Sequence, residues 1–247
     1  MREQPEHSLL LKWLILTGLI LFSVVTAWNE GIISLLYDVD KSHISMAITL
    51  IYLLVTLHCA RRIYTISLET NLSKRVENII KNENKIIINI NDEQVFINKK
   101  IKLPECLMTE YIKDLCFRNG KVYEADDNGS SSDLNDVYNS RLKGPQEIGW
   151  FVSDMMLKLG LLGTIIGFIF MLGSVANIAD FDVSNMQKIL RHMSNGMGTA
   201  LYTTLTGLVC SVLSAMQYHM IDRHADELIE LTRHTTQVHV IPKIIGN

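Results

Sequence analysis

The chain has 247 residues, of which 48% are hydrophobic and 20% charged, with a formal net charge of -3. A near-neutral balance without any basic stripe interleaved with aromatics gives no signal of a nucleic-acid-binding surface. The apolar residues are gathered into four runs rather than spread over one core, which excludes an ordinary soluble domain.

The first run covers Leu9 to Trp28 and the second Ile44 to Ala60. About 20 helical residues cross about 30 Å of hydrocarbon, so each predicts a transmembrane helix. Val25-Thr26-Ala27 loosely resembles a signal cleavage site, but Glu3 and Glu6 offset Arg2 and Lys12 in the preceding segment. The first span is therefore expected to be retained. Between the two runs, residues 29–43 are expected to be a short loop.

From Arg61 to Lys81 the apolar spacing (Ile63, Ile66, Leu72, Val76, Ile79, Ile80) continues the second helix beyond the bilayer. Lys85 to Ile90 and Gln94 to Asn98 alternate around Asn91-Asp92-Glu93, the pattern of a short β-hairpin. Pro104 is placed to open a helix through about Phe117, ended by Asn119-Gly120. Asp126 to Asp133, with Gly129 and three serines, reads as a loop or linker. Gln146 to Asp154 leads into the third apolar run, with Trp150 as an interfacial anchor. This soluble block has no phosphate loop, no HExxH, no GxSxG and no telling carboxylate pair, so its charges read as solvated faces and no enzymatic activity is expected.

The third run, about Met155 to Ile178, carries Gly160, Gly163, Thr164 and Gly167. The fourth, Gly196 to Met220, carries Gly196, Ala200, Thr204, Gly207, Ser211 and Ser214 at steps of three or four. Such spacing puts small and hydroxyl residues in one stripe, which calls for another helix or a pore beside it. No span has an acid at mid-membrane depth.

Lys and Arg set the orientation. Arg61, Arg62, Lys74 and Arg75 follow the second span, Arg141, Lys143 and Lys158 flank the start of the third, and Arg223 and Arg233 follow the fourth. The two short loops carry fewer. The reading is thus an all-α integral membrane protein with four transmembrane helices and a mixed, mostly helical insertion containing a short β-hairpin. Its segments are residues 1–28 (tail and span one), 29–43 (outer loop), 44–60 (span two) and 61–153 (cytoplasmic domain). They continue with 154–178 (span three), 179–195 (outer loop), 196–221 (span four) and 222–247 (cytoplasmic tail). Cys59, Cys106, Cys116 and Cys210 form no CxxC and avoid both outer loops, which fits a reducing cytoplasm. Asp154 and Lys158, four apart, are candidates for a paired cytoplasmic mouth. His58 and His219 lie at cytoplasmic span ends, where a structural role is expected.

Residues 159–167, Leu-Gly-Leu-Leu-Gly-Thr-Ile-Ile-Gly, and 200–208, Ala-Leu-Tyr-Thr-Thr-Leu-Thr-Gly-Leu, resemble the paired signatures of the MotA/TolQ/ExbB family of ion-driven motor subunits. The resemblance covers Asp154 to His219. It departs from the family at Met156-Leu157-Lys158, where a proline is frequent, and at Thr199, where ExbB and TolQ commonly carry glutamate. It implies a homopentamer in a bacterial inner membrane, with both termini cytoplasmic. The implied partner is two copies of a MotB-, ExbD- or TolR-like single-span subunit whose aspartate binds the ion. The transported ion would be H+ or Na+, with no cofactor and no bound metal. By motif match Thr164 and Thr204 face that aspartate, with Thr203 beside them in the ion pathway, while Gly160, Gly163, Gly167 and Gly207 are close-packing sites. The rival reading is a non-conducting membrane scaffold or sensor with a ligand-binding cytoplasmic domain.

Overall fold

The computed structural model describes residues 8–82, 88–91, 94–97, 101–119, 130–176 and 183–242. The elements are α1 (Ser8–Asn29), α2 (Ile32–Val39), α3 (Ile44–Asn82), β1 (Ile88–Asn91), β2 (Gln94–Ile97), β3 (Ile101–Lys102), α4 (Leu107–Asn119), α5 (Ser130–Ala176) and α6 (Val183–Thr235), which ends in a π turn (Thr236–Val240). α1, α3, α5 and α6 each contain a stretch long and apolar enough to cross a membrane. The protein is a helical membrane protein.

The chain divides into two units. One is formed by residues 12–61 and 146–219 and holds most of the apolar runs. Leu14, Leu19 and Phe22 of α1, and Leu50, Leu53 and Leu57 of α3, have exposed apolar side chains, as expected of helices that meet lipid. Its buried centre joins Ile48 of α3, Met156 of α5 and Cys210 of α6, with Ile51, Tyr52 and Leu159 against them. Polar ties cross the same helices. The Ser153 hydroxyl donates to the Ser211 carbonyl at 2.9 Å, and Gln217 Nε2 donates to the Tyr52 hydroxyl at 3.4 Å. Tyr218 is fully buried. Its hydroxyl lies 2.9 Å from His58 Nδ1, so His58 is part of the packing, as expected.

The segment 29–43 is not only loop. Ile32–Val39 forms α2, with Leu35 and Leu36 as its strong helix formers. Gly31 takes a left-handed φ of 75° to start it, which a residue with a Cβ rarely does. After α2, Asp40 organises the entry to α3. Its Oδ1 accepts from the Ser42 amide (2.9 Å) and hydroxyl (2.5 Å), and its Oδ2 accepts from the Ser45 amide (2.8 Å). That last bond satisfies one of the amides left open at a helix start.

The other unit comprises residues 1–11, 62–145 and 220–247. Val76 and Ile80 of α3, Leu103, Cys106, Met108 and Ile112 around α4, and Val240 of the π turn form its main core. A second cluster joins Tyr111, Leu115 and Tyr138, with the two tyrosine rings edge to face at 5.3 Å. Burial pushes the Cys116 thiol up to about 11, which leaves it a protonated packing group.

Several expectations change here. α4 begins at Leu107, not at Pro104, because the Glu69 carboxylate accepts the Leu107 amide at 3.0 Å. A carboxylate at that position favours a helix start through both the bond and the dipole. The hairpin pairs Ile88 with Ile97 and Asn91 with Gln94. A third strand follows, pairing Ile101 with Ile97. Part of the expected linker is helical, since α5 starts at Ser130; residues 126–129 lie outside the described ones. The second short loop is likewise partly helical, with α6 starting at Val183. Within the C-terminal segment α6 continues to Thr235, and the π turn after it carries a buried Val240.

Folding lowers the Asp40 pKa: burial raises it, and the bonds from Ser42 and Ser45 outweigh that burial. A lowered carboxyl pKa contributes stability above the ordinary carboxylate range, and this is lost as pH falls through the folded value. Asp40→Asn should therefore cost about 1 kcal/mol at neutral pH. The difference from the parent should vanish in acid, as measured by thermal unfolding in detergent.

Candidate functional site: the α5–α6 contact

The site is built where α5 and α6 approach within the first unit. A methyl group added to Gly207 would come 2.8 Å from Gly160 Cα and 2.9 Å from the Met156 carbonyl. One added to Gly160 would meet Gly207 Cα and the Thr203 carbonyl at 3.1 Å. At Gly167 it would meet the Ala200 amide nitrogen at 2.6 Å, and at Gly196 the Met171 nitrogen at 2.8 Å. Backbone thus lies on backbone over three turns, the arrangement that small residues at fourfold spacing permit. The four predicted packing glycines all lie on this contact, and Gly196 extends it.

Thr203 belongs to the same contact. It is fully buried, and a methyl on Gly163 would lie 2.3 Å from its Oγ1. The hydroxyl donates to the Thr199 and Ala200 carbonyls at 2.9 and 3.0 Å. Its needs are met inside its own helix.

Thr164 and Thr204 are half-buried. Thr164 donates to the Leu161 carbonyl at 2.5 Å, and Thr204 to the Ala200 carbonyl at 2.8 Å. Donation to a backbone carbonyl leaves the hydroxyl oxygen able to accept a proton donor or touch a cation. Asp154 and Lys158 pair at 2.6 Å with both side chains exposed. Such a pair is worth about 0.5 kcal/mol at most.

Thr199 has a role that no spacing signalled. It is fully buried and donates to the Val39 carbonyl at the end of α2, 2.8 Å away. Gly198 beside it leaves room for Val39, whose Cγ1 would stand 2.6 Å from an added methyl. A glutamate in place of Thr199 would bury a carboxylate against a carbonyl oxygen, a costly arrangement. Gly149 was also missed: a methyl there would fall 1.9 Å from the Tyr218 ring. Among the described residues no group of three or more His, Cys, Asp or Glu side chains could hold a metal ion.

Residues 140–234 match the model of the MotA/TolQ/ExbB proton channel family. This segment is a MotA/TolQ/ExbB proton channel family domain. No curated protein and no solved structure matches the chain significantly. The family domain takes in α5 from Ser140 and α6 as far as His234, and so the whole glycine contact. The match supports a membrane subunit of the proton-channel type. α1 to α4 and the sheet lie outside it.

The contact yields a graded expectation. Gly207→Ala or Gly160→Ala overpacks backbone and should cost about 1–3 kcal/mol, while Gly207→Leu should abolish folded protein. Gly18→Ala has open space around it and should be neutral or up to about 1 kcal/mol stabilising. Thermal unfolding of the purified variants in detergent ranks them.

Proposed function

We propose that the chain is the ring subunit of an ion-driven membrane motor, five copies surrounding two helices of a single-span partner. The partner is of the MotB, ExbD or TolR kind and supplies the aspartate that binds and releases H+ or Na+. This chain supplies the wall: Thr164 and Thr204 present hydroxyls to the passing ion, and Thr203 holds α6 against α5. Both termini and the segments 61–153 and 222–247 lie in the cytoplasm of a bacterial cell whose inner membrane holds the four spans. Asp154 and Lys158 stand at the cytoplasmic mouth. No bond-making chemistry is assigned to it.

The reading rests on one observation. The two half-buried threonines flank a glycine contact in a proton-channel family domain whose spans carry no acid at mid-membrane depth. A hydroxyl can serve an ion without the cost of burying a charge, and the missing carboxylate then has to come from a partner. The distribution of Lys and Arg supports the orientation.

The test is gradient-driven ion uptake into proteoliposomes holding the chain with its co-expressed partner. Thr164→Ala and Thr204→Ala should each lose uptake while the complex keeps its mass, and Thr204→Ser should retain it. Undiminished uptake in both alanine variants would remove the threonines from the pathway.

A further inference from the structure

The end of α6 departs from α-helical geometry at the π turn Thr236–Val240. In an α-helix, residues five apart are about 140° apart around the axis and their side chains do not meet. A π turn bonds each amide five residues back, and residues five apart then return to nearly the same side. The pair that this brings together is His234 and His239. Their ring centroids are 6.3 Å apart, with the planes at 78°. His234 is exposed and His239 half-buried, so both can be reached from solvent. Among the described residues neither imidazole makes a hydrogen bond or an ion pair.

We propose that this π turn builds a two-histidine site for a divalent transition-metal ion of the Cu2+, Ni2+ or Zn2+ class. Imidazole is the side chain these ions prefer, bound through a neutral ring nitrogen at about 2.0–2.1 Å for zinc. At the observed separation, modest rotation about the exposed χ angles aims one nitrogen of each ring at a shared ion. With no third His, Cys, Asp or Glu converging among the described residues, water fills the remaining positions, and the site is exchangeable rather than permanent. Its consequence is mechanical. Val240, one residue beyond His239, is buried in the core with Val76, Ile80 and Ile112. A metal bridging His234 to His239 therefore fastens the π turn in the form that delivers Val240 to that core.

The test is thermal unfolding of the full chain, free of any affinity tag, with and without micromolar Ni2+ or Cu2+. The metal should raise Tm, and the rise should be lost in His234→Gln and in His239→Gln but kept in His219→Gln and His224→Gln. No rise in the parent, or an equal rise in the two site variants, overturns the proposal. Should either site variant fail to fold, Cu2+ electron paramagnetic resonance on the His219→Gln/His224→Gln chain decides the matter. Coupling to two imidazole nitrogens upholds the site, and coupling to one or none overturns it.

Discussion

Two helices can lie backbone against backbone only where neither presents a side chain, and that constraint shapes the centre of this protein. Gly160 and Gly207 face one another, Gly163 makes room for Thr203, and Gly167 and Gly196 meet the opposite backbone. Lipid is as apolar as leucine, so burying leucines gives no force for helix pairing in a bilayer. Close van der Waals contact does, and it falls off steeply if a gap opens. The glycine contact therefore sets the separation and register of α5 and α6. With the register set, the half-buried hydroxyls of Thr164 and Thr204 stand at fixed places beside it.

The remaining helices supply what this contact lacks. α3 brings Ile48, Tyr52 and His58 against α5 and α6, closing the centre with apolar bulk and with the bonds to Gln217 and Tyr218. The buried Thr199 fastens the end of α2 to α6 by a single bond. In the other unit, the Glu69 carboxylate starts α4 and the π turn delivers Val240 to the core. Polar groups thus do the positioning, and apolar surface supplies the bulk.

How much of this was legible in the sequence depends on the range of the interaction that decides each feature. The spans show in composition, because a bilayer imposes a length and a hydropathy on any helix that crosses it. The glycine and threonine stripes show in spacing, because helical periodicity puts them on one side. The hairpin showed in its alternation. What did not show depends on partners distant in the chain. Nothing near Leu107 says that Glu69 will accept its amide, and so the sequence alone points to Pro104 as the start of α4. Nothing near Thr199 points to the Val39 carbonyl, or near Gly149 to the Tyr218 ring. α2 is hidden for another reason: its 8 residues lie between two spans and are too few to show as a span of their own. Thr203 sat in the right motif beside Thr204. Only its contact with Gly163 separates a packing residue from one that is half-exposed.

The central claim is that the glycine-paired α5 and α6 form the wall of a multi-subunit ring around a partner's helices. The most direct measurement is the native mass and symmetry of the detergent-purified complex, with its single-span partner co-expressed. Five copies of this chain with two of the partner is the predicted result. A monomer or dimer that leaves the partner unbound would contradict it, and the glycine contact would then be the packing of a self-contained bundle.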